Sequence, residues 1–335
     1  MIWPLRRTIY LALLLLFLVC AGAARASVIG VTDDPLTIGG GARPLGMGRA
    51  FGALANDCDA IFINPAGDAS LKEPQAMAMF TSLLAGTVYY SEYCGALPAD
   101  FGSVGIGYIT TGVNGVIVGT SEIETDYYDS VLAFNYASPL NRFFRYGENI
   151  LVGLNFKVFS RGFSGGVNQS SSGFSSDAGI KFVVSPYLNF GLVRQNFIPV
   201  SLGAGIQTGG GAQEALAGET RVCIAVKPVQ FDGQLSLAGD LDIPAISADP
   251  VTAHFGTEWK ATPEFYLRGG LDQSLDAASP TGTSWNPTIG TSILFSGFRL
   301  DYAYHPYYND PALAVSYVSI SYTGEPWETL KGRTD

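Results

Sequence analysis

The chain has 335 residues, of which 14% are charged and 47% hydrophobic, with 41 glycines and a formal net charge of −10. So little charge argues against an ordinary soluble globule, and the acidic balance argues against nucleic acid as a partner. With two histidines far apart and no HExxH, CxxC or phosphate-loop spacing, the chain offers no sequence basis for catalysis, a cofactor or a metal site.

Taken in order, the chain begins with Arg6 and Arg7, an almost wholly apolar block from Thr8 to Ala24, and Ala24-Arg25-Ala26 ahead of Ser27. This is the pattern of a secretory signal peptide over residues 1–26, cleaved between Ala26 and Ser27. Lipidation at Cys20 is disfavoured by the bulky Val19 before it. Loss of the signal removes three arginines and leaves 16 basic against 29 acidic residues, a net of −13. The mature chain keeps Cys58, Cys94 and Cys223, an odd number. Export permits a Cys58–Cys94 disulfide, although neither geometry nor spacing demands one.

Next comes Gly39 to Gly67, GGGARPLGMGRAFGALANDCDAIFINPAG, rich in small residues. Glycines allow close backbone contact with a surrounding wall, Pro65 fixes a turn, and Asn64 can bond to local backbone while holding it. The stretch reads as a plug. Gly46, Gly48, Asn64, Pro65 and Ala66 are its candidate anchoring or gating residues.

Beyond it, short segments alternate with period two. Val152, Leu154, Phe156 and Val158 oppose Gly153, Asn155 and Lys157. Val222, Ile224 and Val226 oppose Arg221, and Leu235, Leu237, Leu241 and Ile243 oppose Gln234, Ser236, Asp240 and Asp242. Phe255 and Trp259 oppose His254, Glu258 and Lys260; Leu267 and Leu271 oppose Arg268 and Asp272; Leu300 and Tyr302 oppose Arg299 and Asp301. Fourteen strands are predicted, near 75–82, 87–97, 103–110, 129–138, 149–160, 175–184, 200–207, 219–227, 233–243, 251–260, 264–272, 287–295, 298–304 and 313–322.

A soluble sandwich would alternate in the same way, so other features must decide. The strand number is even. The connections at Ala99–Gly102, Pro228–Asp232, Thr262–Pro263 and Ser296–Gly297 are short. The alternate ones at 111–128, 161–175, 208–218, 246–250 and 273–286 are mostly longer, as in bacterial outer-membrane barrels. The short connection at 83–86 and the long one at 185–199 break that rule, and the latter has room for a half-strand at Tyr187–Val193. Aromatic pairs such as Tyr89-Tyr90, Tyr127-Tyr128, Phe143-Phe144 and Tyr307-Tyr308 suit the headgroup zone. The reading is an all-β, transmembrane antiparallel barrel over residues 75–322, with a hatch at 27–74 in its lumen and a periplasmic tail at 323–335.

The ordered set Leu45-Gly46-Met47-Gly48, Asn56-Asp57 and Asn64-Pro65-Ala66-Gly67, with Arg299-Leu300-Asp301-Tyr302-Ala303-Tyr304 near the C-terminus, resembles the FadL-type outer-membrane transporters, and within them the PorV/PorQ-type branch. That family more often has glycine where Arg49 stands and an aromatic pair where Phe62-Ile63 stands. The resemblance implies an outer-membrane protein surrounded by lipid that passes hydrophobic small molecules, such as long-chain fatty acids. The PorV-like alternative is a partner of secretion-system proteins that transports nothing small. The candidate lumen residues Lys157, Arg221, Glu258, Arg268, Asp272, Arg299 and Asp301, with Lys181, Lys227 and Lys260, carry both signs. They either pair with one another and with the hatch or line a substrate site. An apolar pocket between the hatch and the outer loops would favour transport, and a charged lumen under an apolar rim would favour the partner role.

Overall fold

The computed structural model describes residues 31–32, 35, 39–119, 122–207, 211, 213–245, 249–275, 282–307, 314–327 and 329. The expected signal peptide, parts of the expected hatch before Gly39 and most of the C-terminal tail lie outside the described residues.

Seventeen strands form one sheet. A two-residue strand, β1 (Val31–Thr32), precedes β2 (Gln75–Leu83), β3 (Val88–Ala99), β4 (Gly102–Val118), β5 (Ile123–Pro139), β6 (Ile150–Gly165), β7 (Gln169–Ser185) and β8 (Leu188–Gln195). Two short strands follow, β9 (Gly205–Gln207) and β10 (Gln213–Leu216). The rest are β11 (Glu219–Val226), β12 (Leu235–Pro244), β13 (Thr252–Lys260), β14 (Phe265–Leu275), β15 (Thr283–Phe295), β16 (Phe298–His305) and β17 (Val315–Thr323). All neighbours from β2 to β8 and from β11 to β17 are antiparallel, β8 pairs with β11, and β17 pairs back onto β2. The result is a closed barrel of 14 strands, with β1, β9 and β10 added at one rim. Closure gives every barrel strand a partner on both sides, as hydrocarbon requires. No helix among the described residues is long and apolar enough to cross a membrane.

The side-chain alternation sorts as the period demands. Leu154, Phe156, Val222, Leu241, Phe255, Leu271 and Ile320 are exposed on the outer face, and Lys157, Arg221, Glu258, Arg268, Asp272 and Asp301 are buried on the inner one. Phe101, Phe143, Phe144, Tyr187, Phe231, Phe295 and Tyr322 are exposed around the end that carries the short turns, an aromatic girdle of the kind that sits at headgroups. Tyr90 departs from this pattern: it is fully buried, and its hydroxyl donates to the Gly39 carbonyl at 2.8 Å.

Two expectations are corrected. The seventh barrel strand is Leu188–Gln195, not 200–207. Pro199 and the left-handed Gly203 (φ 88°) bracket a 3-10 turn at Val200–Leu202, so only Gly205–Gln207 is extended there, and it joins the rim. With β8 in place the β7–β8 turn is short, as expected of that end, but the opposite end also has short connections at 84–87, 119–122 and 166–168, so the loop rule holds only in part. The expected long loops at 111–128 and 161–175 are instead strand. β4 and β5 pair out to Val118 and Ile123, and β6 and β7 pair out to Phe163 and Gln169. Their Gly, Ser and Asn content reads locally as turn, but the cross-strand partner supplies the ladder.

Inside the barrel lies the segment from Gly39 to Leu71. It folds as a one-turn helix at Ala42–Leu45, turns through residues 46–55, a second one-turn helix at Ala60–Ile63 and a 3-10 stretch at Pro65–Ser70. The Ala/Phe-rich run 49–55 that follows forms turns and no helix. A left-handed backbone at both Gly48 (φ 60°) and Arg49 (φ 69°) ends the first turn. A Cβ on Gly48 would meet the backbone of Leu271 at 2.7 Å, so the segment rides directly on the wall.

Cys58 in this segment and Cys94 on β3 form a disulfide, with Cα atoms 5.9 Å apart, while Cys223 is free and buried. Closing 36 residues of chain restricts the unfolded state by about 4 kcal/mol. Peptide mapping of native, unreduced protein is expected to recover a linked Cys58–Cys94 peptide. Alkylation of both cysteines without reductant would contradict the link.

Candidate functional site

The polar groups that period two turns inward meet the N-terminal segment at three levels. Nearest the short-turn end, Arg43 donates to both carboxylate oxygens of Glu258 at 2.8 Å and to Asp57 Oδ2 at 2.7 Å. Glu258 also accepts from Arg268 Nε at 2.7 Å, and Arg268 reaches Asp301 Oδ1 at 3.1 Å. Asp301 accepts from Ser292 and from Arg299 Nε, the latter at 2.7 Å, and Arg299 Nη2 returns to Asp57 at 3.1 Å. Arg43, Glu258, Arg268, Asp301, Arg299 and Asp57 thus form a closed ring of three cations and three anions. Each charge has two opposite neighbours, and the sum is zero, which makes burial of six charges tolerable. Two members belong to the segment and four to β13, β14 and β16.

At mid-height the wall grips backbone. Asp240 Oδ2 accepts from the amides of Phe51 and Gly52 at 3.0 and 2.8 Å, and Glu92 Oε2 accepts from Gly41 at 3.0 Å. Asn155 donates to Ile61 O at 2.6 Å, and Lys181 donates to Leu54 O and Ala55 O at 3.3 and 2.6 Å. Lys157 is spent within the wall, 2.9 Å from Asp177. Asn64 is fully buried: its Oδ1 accepts from Ala66 N at 3.2 Å, and its Nδ2 donates to Gly52 O at 2.8 Å and Ile180 O at 3.4 Å. A Cβ on Gly153 or Gly179 would collide with Pro65, and one on Gly46 would approach Gly290 Cα to 3.0 Å, so these candidates lie at backbone-to-wall contacts.

Two carboxyls of the segment have no basic partner among the described residues. Asp68 has both oxygens buried without a hydrogen bond, and Asp59 has one. Burial first, then the negative charge of Asp57, pushes both well above the usual carboxylate range and favours their protonated forms.

Toward the long-loop end, Arg221 makes a bidentate pair with Asp242 at 2.6 and 2.7 Å and reaches Glu219 at 3.1 Å. His254 lies 3.2 Å from Asp242 and 2.7 Å from Asp272, which is 2.8 Å from His305. Over this chain of charges a cavity of about 310 Å³ opens between the segment (Gly40, Pro44, Leu45, Phe62, Ile63) and the wall (Gln195, Asn196, Glu219, Arg221, Asp242, Gln273). A second cavity, also about 310 Å³, is walled by Leu83, Leu84, Tyr307, Val315 and Tyr317. Leu45, Arg49 and Ser274 line both.

Asn196 marks an interruption in the ladder between β7 and its neighbours, a gap crossed by one backbone bond from Phe197 N to Ser176 O at 3.0 Å. β7 pairs with β8 over Ala178–Ser185 and with β9 over Ser172–Phe174, which leaves residues 175–177 outside either ladder. Asn196, left-handed at φ 49°, donates its amide to Asp177 Oδ1 at 2.9 Å, and the Ser175 hydroxyl is buried without a partner.

Of the candidate lumen residues, Glu258, Arg268, Arg299 and Asp301 come together in the ring, Arg221 and Asp272 join the outer chain, and Lys157 stands apart from both. Sequence reasoning missed Arg43 and Asp57 as ring members, Glu92 and Asp240 as backbone acceptors, and the pairing role of both histidines. An inward carboxylate facing a glycine-rich segment was the available signal for Asp240.

No protein-family model and no curated protein matches the chain in sequence. Solved structures do match. The Ralstonia pickettii toluene transporter TbuX aligns with a TM-score of 0.58 at 13% identity, covering 86% of this chain and 98% of that one. The monoaromatic hydrocarbon channel CymD gives 0.57 at 14%, with 86% and 98% covered. A Pseudomonas aeruginosa FadL homologue gives 0.55 at 13%, with 84% and 98% covered. The fold is that of FadL-type channels. Such a barrel is an outer-membrane protein that crosses the bilayer many times by strands.

Proposed function

We propose that this protein admits hydrophobic small molecules through the outer membrane, with residues 27–74 as the hatch that closes its lumen and Gly46, Gly48, Asn64, Pro65 and Ala66 as the hatch's contact points. The observation that carries the reading is the pair of cavities at the long-loop end, which share Leu45 and Arg49 of the segment, the first of them also reaching the interrupted ladder at Asn196. A molecule in the second cavity meets the apolar wall of Leu45, Leu83, Leu84, Val315 and Tyr317, and one in the first lies beside Asn196 and the interrupted ladder. Exit through that gap leaves the charge ring undisturbed, whereas passage straight down would have to break it. The likeness in fold to toluene and monoaromatic hydrocarbon channels supports the same reading. The secretion-partner alternative draws no support from it.

The test is uptake of a radiolabelled long-chain fatty acid or of toluene by Gram-negative cells that lack their own such channel and express this protein. Ser274→Trp projects an indole into both cavities from β14. It is expected to cut uptake about tenfold while leaving the unboiled protein's fast gel mobility unchanged. Uptake by the variant equal to that of the wild type would remove the cavities from the path.

A further inference from the structure

A third cavity, about 390 Å³, opens at the short-turn end beneath the segment. Its lining includes Lys72, Lys181, Lys227, Asn189 and Ser236. We propose that it binds the oxyanion head, a carboxylate or a phosphate, of a small molecule between Lys181 and Lys227.

Lys181 is 4% exposed, and among the described residues the acceptors its ammonium touches are the neutral carbonyls of Leu54 and Ala55. An ammonium has three donors, so one remains. Among the described residues no carboxylate lies within ion-pair distance of Lys181 or Lys227. Lys181 on β7 and Lys227 just beyond β11 line the same cavity. Two ammonium-bearing side chains therefore face one space. That arrangement is unfavourable alone and favourable around an anion.

The rest of the lining agrees. Glu258 is consumed by Arg43 and Arg268, so Glu73 is the one other acid against the lysines of this cavity. Asn189 has no partner for its side-chain oxygen, and its amide can turn to present N–H groups inward. The contrast with the long-loop end is informative, because Glu219, Asp242 and Asp249 outnumber Arg49 and Arg221 there. The site is distinct from the two outer cavities and does not require that anything be transported.

Such a head group could come from an organic acid in the channel or from an inner-leaflet phospholipid. Calorimetry on the detergent-solubilised full chain with benzoate, with short-chain phosphatidylglycerol and with toluene separates these. Saturable binding of benzoate or of the phospholipid is expected, weakened about tenfold by Lys227→Gln and by Lys181→Gln, with toluene binding unchanged. The probe that binds identifies the source. Lys227→Gln leaves the segment's contacts intact, since they run through Lys181. No saturable binding of either oxyanion, or equal binding by Lys227→Gln and wild type, would overturn the site. Toluene binding without oxyanion binding would leave the transport reading standing while this one falls.

Discussion

Deletion of residues 39–67 is expected to give a barrel that still inserts, still runs fast on a gel until boiled, and conducts ions in planar bilayers at least about tenfold better than the intact protein. The wall does not depend on the segment for its ladder: every barrel strand pairs with another barrel strand, and β17 closes on β2 without help from residues 39–67. The charges left behind are also survivable. Loss of Arg43 and Asp57 opens the ring to Glu258, Arg268, Asp301 and Arg299, two of each sign, already linked in series. Water entering the lumen solvates them, as it does Asp240 and Glu92, whose backbone donors leave with the segment. Asn64→Ala with Pro65→Ala is the contrasting case. It removes the bonds to Gly52 and Ile180 but keeps the ring and the disulfide, so current stays near the intact level. A deletion variant that inserts yet conducts no better would mean that another part of the chain closes the pore.

Alternation was enough to place Lys157, Arg221, Glu258, Arg268, Asp272 and Asp301 indoors, because a strand with lipid on one side has no other way to sort its side chains. It could not say what they touch. Arg43 and Glu258 are 215 positions apart, and their pairing depends on how far the segment is threaded into the barrel, which no local pattern encodes. The same limit explains Tyr90. Its neighbour Tyr89 and the strand end beside it resemble a girdle, but register turns Tyr90 inward to Gly39. At the seventh strand the difficulty was opposite in kind. Leu188–Gln195 is short, and Val200-Ser201-Leu202 offers a competing apolar run, so only the partner strand Glu219–Val226 decides between them. Arg49 was legible as a departure from the glycine more usual in the FadL-type sequences that this chain resembles, and its own left-handed φ of 69° is a conformation that suits glycine.

The ring itself predicts an inversion that a simple tally of contacts would miss. Arg43→Met removes one cation from a neutral set of six and leaves three carboxylates facing two guanidinium groups in a site where Arg268 and Asp301 are essentially unexposed. Breaking a buried pair from one side costs about 3–5 kcal/mol, much of it from the uncompensated charge rather than from lost bonds. Arg43→Met with Asp57→Asn takes away more hydrogen bonds yet returns the remainder to neutrality, as the chain Glu258, Arg268, Asp301, Arg299. The double variant is therefore expected to hold the segment more firmly than the single one. Hydrogen exchange over residues 39–71 reads this directly: protection should fall most in Arg43→Met and recover in part in the double variant. Arg268→Met supplies a control from the wall side, with the same net charge as Arg43→Met but with the segment's own arginine retained. If the double variant exchanges faster than Arg43→Met, the pairs act independently, and the closed loop of charges contributes nothing beyond its separate bonds.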